Sequence, residues 1–144
     1  MRVTRKVFIN RDPDFVFGYL ASPANEPVWR VSILRAEPDQ PGEPGIGSTG
    51  TSLIRFMGRD VEVCWEVVEF EPQARLCREY ASRIRGGRDR YMLQRFGKGA
   101  TVVEVQVEVE AAGLMGLLTT GRRTSMEHEL RTDLQRLKAI LEAD

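Results

Sequence analysis

The sharpest pattern in the chain is at 101–110, where Val103, Val105, Val107 and Val109 alternate with Glu104, Gln106, Glu108 and Glu110. A period of two with one apolar and one polar face predicts an antiparallel strand, dry on one side and wet on the other. Residues 2–10 predict a first strand. Asp12 then caps a helix whose first turn suits Pro13, and Phe15, Val16, Tyr19 and Leu20 follow at helical spacing. Pro23 stops that helix, and a short second one is predicted from Ala24 to Trp29. Residues 38–47 hold three prolines and three glycines and form a loop. Between Ser48 and Phe96 three more strands are expected, with turns at Gly58-Arg59, Glu71-Pro72-Gln73-Ala74 and Gly86-Gly87. A last helix runs from about Thr120 to Ala143, with Met126, Leu130, Leu134, Leu137 and Leu141 on one stripe. His128 lies about 160° from that stripe and faces solvent.

Turn chemistry suggests registers. A two-residue Gly58-Arg59 turn pairs Met57 with Asp60, Phe56 with Val61, Ile54 with Val63 and Ser52 with Trp65, and sets Arg55 against Glu62. The Glu71–Ala74 turn leaves two choices. The favoured one sets Trp65 against Tyr80 inside, buries Leu76 and Ile84, and opposes Glu66 with Glu79 outside. Slipping by one pairs Arg78 with Glu66 outside and turns Glu79 inward against Trp65. In either choice Cys64 and Cys77 are three or four residues out of step, too far for a disulfide.

Composition narrows the function. The chain has 144 residues, the length of a single domain (1–144). Its 21 Lys+Arg balance 21 Asp+Glu, which argues against a nucleic-acid partner. With one histidine and two cysteines lacking metal spacing, no metal site and no cofactor are expected. Ala111–Gly121, the longest uncharged stretch, is too short to span a bilayer. With no targeting segment in view, the reading is a cytoplasmic domain. Gly45-Ile46-Gly47 and Gly113-Leu114-Met115-Gly116 read as flexible segments able to gate a pocket. The arginines Arg83, Arg85, Arg88 and Arg90, with Asp89 the sole acid among them, read as a solvated basic hairpin tip.

Several stretches add a resemblance: Val7-Phe8-Ile9-Asn10-Arg11-Asp12-Pro13-Asp14-Phe15-Val16-Phe17-Gly18-Tyr19-Leu20, Asn25-Glu26-Pro27-Val28-Trp29, Gly45-Ile46-Gly47-Ser48, Gly58-Arg59, Val67-Val68-Glu69-Phe70-Glu71-Pro72 and Asp133-Leu134-Gln135-Arg136-Leu137-Lys138. Together they resemble the START-like (SRPBCC) helix-grip superfamily, in its polyketide cyclase/dehydrase branch. The resemblance implies an α+β, Bet v 1-like fold. In it, a curved antiparallel sheet of about six or seven strands wraps a long C-terminal helix, with two short helices after the first strand. It also implies an apolar pocket between sheet and helix for a small hydrophobic, aromatic, polyketide-like or lipidic molecule.

A dry sheet face and a dry helix stripe must cover each other. The expected pocket wall is Ile54, Phe56, Val63, Trp65, Tyr80, Val105, Val107, Met126 and Leu130, with Trp29 at a rim or closing the helix pair onto the sheet. Thr119 and Arg123 lie near the stripe, and Arg123 serves either as a polar anchor at the mouth or as a solvated partner of Glu127. The leading expectation is a carrier or sensor. A cofactor-free cyclase or dehydratase is the alternative, with Glu79, Tyr80, Tyr91 and Arg123 as candidate groups. A protein-interaction module, or a homodimer, stays open.

Overall fold

The computed structural model describes residues 1–83, 85–111 and 122–143. Seven strands form one antiparallel sheet in the order β1-β7-β6-β5-β4-β3-β2. They are β1 (Arg2–Ile9), β2 (Ile33–Pro38), β3 (Thr49–Phe56), β4 (Arg59–Glu71), β5 (Arg75–Ala81), β6 (Arg85–Phe96) and β7 (Ala100–Ala111). Between β1 and β2 lie helix α1 (Pro13–Ala21), a 3-10 turn (Pro23–Asn25) and helix α2 (Glu26–Trp29); α3 (Arg123–Glu142) follows β7. This is the helix-grip arrangement that the resemblance implied.

The alternating valines do what their period predicts. Val103, Val105, Val107 and Val109 are buried on the concave face, with Val3, Val7 and Ile9 of the neighbouring strand. The Asp12 side chain caps α1 by accepting from the Asp14 N–H at 3.0 Å, and Pro13 occupies the first turn. Helix α3 buries Leu130, Leu134, Leu137 and Leu141 and leaves His128 exposed. Two side-chain bonds to backbone fasten it to the start of the chain: Lys138 Nζ donates to the Phe8 carbonyl at 2.7 Å and Arg11 Nη1 to the Leu141 carbonyl at 2.8 Å.

The structure corrects several local expectations. Strand β2 had no sequence signal, because its short run Ile33–Pro38 lacks alternation and ends in proline. Four strands, not three, lie between Ser48 and Phe96. The β3–β4 turn is made by Met57 and Gly58, both at positive φ (54° and 78°), so the hairpin pairs Phe56 with Arg59, Arg55 with Asp60 and Ile54 with Val61. The displacement from the expected register is two residues, which leaves every side chain on its expected face. Arg55 still finds an acid, with Nε 3.2 Å from Asp60 Oδ1.

Gly86-Gly87 is no turn. Both glycines lie inside β6, where Gly87 pairs with Tyr80 on one side and Val109 on the other. Gly87 has φ 147°, and a Cβ there would sit 2.0 Å from the Glu108 carbonyl oxygen. Beyond the Glu71–Ala74 turn the favoured register holds at Trp65–Tyr80 and Glu66–Glu79, and a bulge at Val68 shifts the remainder so that Cys77 faces Glu69. The Glu66–Glu79 repulsion is relieved sideways, by Arg88 Nη2 at 3.0 Å from Glu79 Oε2. The expected roles of Ile84, Thr119 and 113–116 lie outside the described residues.

Gly87→Ala should cost about 2–4 kcal/mol in urea unfolding, from left-handed strain plus the carbonyl clash; stability equal to the parent contradicts the register. Cys64 is exposed and Cys77 buried, and burial pushes the Cys77 thiol up to about 11. A raised thiol pKa depletes the reactive thiolate at every pH below it. At pH 8, therefore, one thiol should react promptly with a disulfide reagent and the second only in denaturant; two fast thiols contradict this.

Candidate functional site

The concave face of the sheet is not uniformly apolar. Strand alternation sets Arg78 of β5 directly opposite Asp89 of β6, and both are buried. Lone charges here would be prohibitively costly. Two groups carried by α2 and its C-cap come down onto them. Arg78 Nη1 lies 3.2 Å from Glu26 Oε1, and its Nη2 donates to the Leu20 and Ala21 carbonyls, each at 3.1 Å. Those carbonyls are at the C-terminus of α1, where the helix leaves acceptors free and favours a cation. Arg30 Nη1 donates to Asp89 Oδ2 and reaches Tyr91 Oη at 3.4 Å. Tyr80 Oη donates to Glu26 Oε2 at 3.5 Å.

Charge therefore alternates around a buried square: Glu26, Arg78, Asp89, Arg30. Burial is the strongest single influence on Arg30 and Arg78 and opposes their charge, but the surrounding groups, led by Asp89 for Arg30 and Glu26 for Arg78, together outweigh it and hold both guanidiniums above the ordinary arginine range. Burial lifts the Glu26 carboxyl despite Arg78. It also lifts the Tyr80 and Tyr91 phenols, so both stay protonated at neutral pH.

Beside this floor is a cavity of about 290 Å³ between the sheet and the start of α3. Ile54, Phe56, Met57, Val107, Val109 and Met126 supply apolar wall, Ile33 closes the β2 side, and Tyr80, Arg85, Asp89 and Arg30 supply the polar end. Arg122 and Glu129 stand at the α3 side. The Arg85 guanidinium carbon is 5.8 Å from the ring centroids of both Phe56 and Tyr80. Its Nε, like Asp89 Oδ1, is shielded from solvent with no hydrogen-bond partner among the described residues.

Of the expected wall residues, Ile54, Phe56, Tyr80, Val107 and Met126 line this cavity, and Val63, Trp65, Val105 and Leu130 do not. Val63 and Val105 are packed core. Trp65 covers Gly50, where a Cβ would meet its Cζ2 at 2.1 Å, and stands beside Arg78, whose guanidinium carbon is 5.7 Å from the ring. Leu130 sits deeper along α3, away from the main cavity. Trp29 is buried rather than at a rim, edge-on to Tyr91 with centroids 6.2 Å apart. Arg123 is exposed and bonds Glu127 at 3.0 Å, outside the cavity.

Among the catalytic candidates, only Tyr80 reaches the cavity. Glu79 points to the opposite face of the sheet because its neighbour Tyr80 points in, and Tyr91 lies buried below the floor. The supposed basic tip divides by strand parity. Arg85 and Asp89 turn inward, while Arg88 and Arg90 turn outward to Glu79 and Glu69. Arg78 was within reach of sequence reasoning: the favoured register places it between Leu76 and Tyr80 on the inner face. Glu26 and Arg30 were not, since their roles come from the descent of a four-residue helix.

The chain's relatives agree with this architecture. A family model described as "Polyketide cyclase / dehydrase and lipid transport" matches residues 1–142. A START superfamily protein from Mycobacterium smegmatis superposes with a TM-score of 0.78 at 14% identity, covering 98% of this chain and 97% of that one. A Thermus thermophilus protein gives 0.79 at 15% identity, covering 98% and 97%. The Aha1 dimer of Colwellia psychrerythraea gives 0.69 at 18%, covering 99% and 96%. At these identities the likeness is one of fold. No curated protein matches the chain significantly.

Breaking one side of the buried square should cost more than removing a pair. Arg78→Leu should lose about 3–5 kcal/mol in urea unfolding, and adding Glu26→Leu should restore part of that loss. A single substitution costing under about 1 kcal/mol, or a pair whose losses simply add, contradicts the ion-pair account.

Proposed function

The chain belongs to the polyketide cyclase / dehydrase and lipid transport family, and from that premise we propose that it is a carrier or sensor of a small, mainly apolar molecule held between the sheet and α3. The observation that carries this reading is the 290 Å³ cavity, whose apolar walls stand beside charges that already neutralise one another. Such a floor does not need a ligand to be stable, so the space is preformed. Its volume is at the low end of the ~300–1,000 Å³ typical of ligand sites. That size favours one or two fused rings, or a short chain, over a two-tailed lipid. The proposal includes a cytoplasmic setting and no cofactor, and the free cysteines are in keeping with a reducing compartment.

One observation favours a second reading, a cofactor-free cyclase or dehydratase. Asp89 Oδ1 lacks a hydrogen-bond partner among the described residues and lines the same cavity as the Tyr80 side chain. A carboxylate that accepts a proton beside a phenol that donates one is the minimum for acid–base chemistry on a carbonyl compound. Turnover of a polyketide-like substrate, lost in Tyr80→Phe while binding is kept, would put this reading first.

Binding is tested with 2-naphthol, neutral at pH 7 and fluorescent. We expect saturable one-to-one binding to the wild-type protein. Met126→Trp, which fills the α3 side of the cavity, should abolish it without altering the circular dichroism spectrum. Failure to saturate, or undiminished binding in Met126→Trp, contradicts the site.

A further inference from the structure

We propose that the cavity selects a monoanionic aromatic acid, with Arg85 as the anchor of its carboxylate. This rests on the ligand-binding reading and adds the chemical class of the ligand.

Arg85 is the first residue of β6, and strand parity turns it to the concave side with Gly87 and Asp89. Ser82 holds its backbone from both directions: the Arg85 N–H donates to Ser82 Oγ at 3.0 Å, and that hydroxyl donates to the Arg85 carbonyl at 2.8 Å. The side chain thus starts from a fixed point and runs between Phe56 and Tyr80. These rings and the guanidinium make a slot in which an aromatic ring finds π faces and a cation.

Arg85 is set apart by being shielded without a counter-ion; Arg122, the other cavity guanidinium without a salt bridge among the described residues, is exposed to solvent. Arg30 has Asp89, and Arg78 has Glu26 with two carbonyls. Among the described residues no carboxylate forms a salt bridge with Arg85, and its Nε is shielded without a partner. Burial accordingly pushes its basicity down, whereas Arg30 and Arg78 are held up. A shielded donor left unpaired is a standing cost, and a ligand carboxylate would remove it much as Asp89 does for Arg30. The charge of the ligand is bounded from the other side. Asp89 also lines the cavity, with Oδ1 unpaired, and Glu129 stands on the α3 wall. Asp89 is matched by Arg30, Arg55 by Asp60, and Glu129 by Arg122 on the same wall, so Arg85 is the one surplus cation, which suits a single negative charge and disfavours a dianion.

Calorimetric titration at pH 8 with 2-naphthoate, 2-naphthol and 2-naphthyl phosphate tests this on the wild-type chain and on Arg85→Gln. Arg85 has no ionic partner to abandon, so the variant should fold, and its thermal unfolding is recorded alongside. The wild-type protein should bind 2-naphthoate at least about tenfold more tightly than 2-naphthol, the gain of one charge-assisted bond, and more tightly than the phosphate. In Arg85→Gln the naphthoate advantage should vanish while 2-naphthol affinity stays within about threefold. Equal affinity for naphthoate and naphthol in the wild type overturns the proposal and leaves the ligand-binding reading intact. A naphthoate advantage that survives in Arg85→Gln overturns the assignment to Arg85, and a phosphate that binds as tightly as naphthoate overturns the single charge. Failure of all three compounds to bind overturns the ligand-binding reading and this proposal with it.

Discussion

Four charges buried against the sheet hold this fold's working parts in place. Arg78 and Asp89 face each other across β5 and β6, yet each takes its closest partner from above, from Glu26 and Arg30. The arrangement pins a helix of only four residues, too short to be stable alone, to the middle of a seven-stranded sheet. It also ties the C-terminus of α1 to the same point through the Leu20 and Ala21 carbonyls. A purely apolar seat would accept α2 at several rotations; two crossed ion pairs accept one. Buried ion pairs of this kind contribute little net stability, and their better-attested use is to fix a register.

The cavity follows from that pinning. α2 and the residues after it hold Arg30 and Ile33 at one side of the concave face. There Val31 N–H donates to Asp133 Oδ1 on α3 at 3.2 Å, and Arg136 of α3 donates to the Trp29 carbonyl at 3.0 Å. α3 is thereby positioned by polar bonds at one end of the link and by its leucine stripe along β1. The leucines fill the lower part of the grip. Toward the start of α3 the stripe gives way to Met126, Glu129 and Arg122, and the described residues leave the space unfilled. At the place where the apolar stripe ends stands Arg85, a cavity guanidinium that is shielded and forms no salt bridge among the described residues, whereas Arg122, also without a salt bridge there, is exposed to solvent.

Legibility of the chain divides along physical lines. Period-two alternation and the leucine stripe were readable because burial acts on every second or every third and fourth residue; they supplied most of the order of elements, and the family resemblance implied its helix-grip form. Face assignments survived even where the β3–β4 register was displaced, since a shift by two preserves parity. The turn itself was misplaced because Met57 takes a left-handed φ, a conformation uncommon for any residue but glycine. Gly86-Gly87 was misread for the opposite reason. Glycine there answers a close approach of the Glu108 carbonyl inside a strand, not a reversal of the chain. With that turn misplaced, Arg85 and Asp89 passed for solvated charges, and the polar end of the site was hidden. Trp65 shows a further limit: its face was legible, but whether a ring on that face meets a ligand or a glycine across the ladder depends on Gly50.

The most direct test of the account is nitrogen-resolved NMR of the arginine side chains, following each Nε–H in the free protein and on addition of 2-naphthoate. Arg30 and Arg78, sealed in the floor, should give slowly exchanging Nε–H signals that barely move. Arg85 should respond strongly and alone. Fast exchange at Arg30 and Arg78, or shifts scattered over the surface arginines while Arg85 stays fixed, would contradict the picture of a closed charge square beside one shielded cation without an ionic partner.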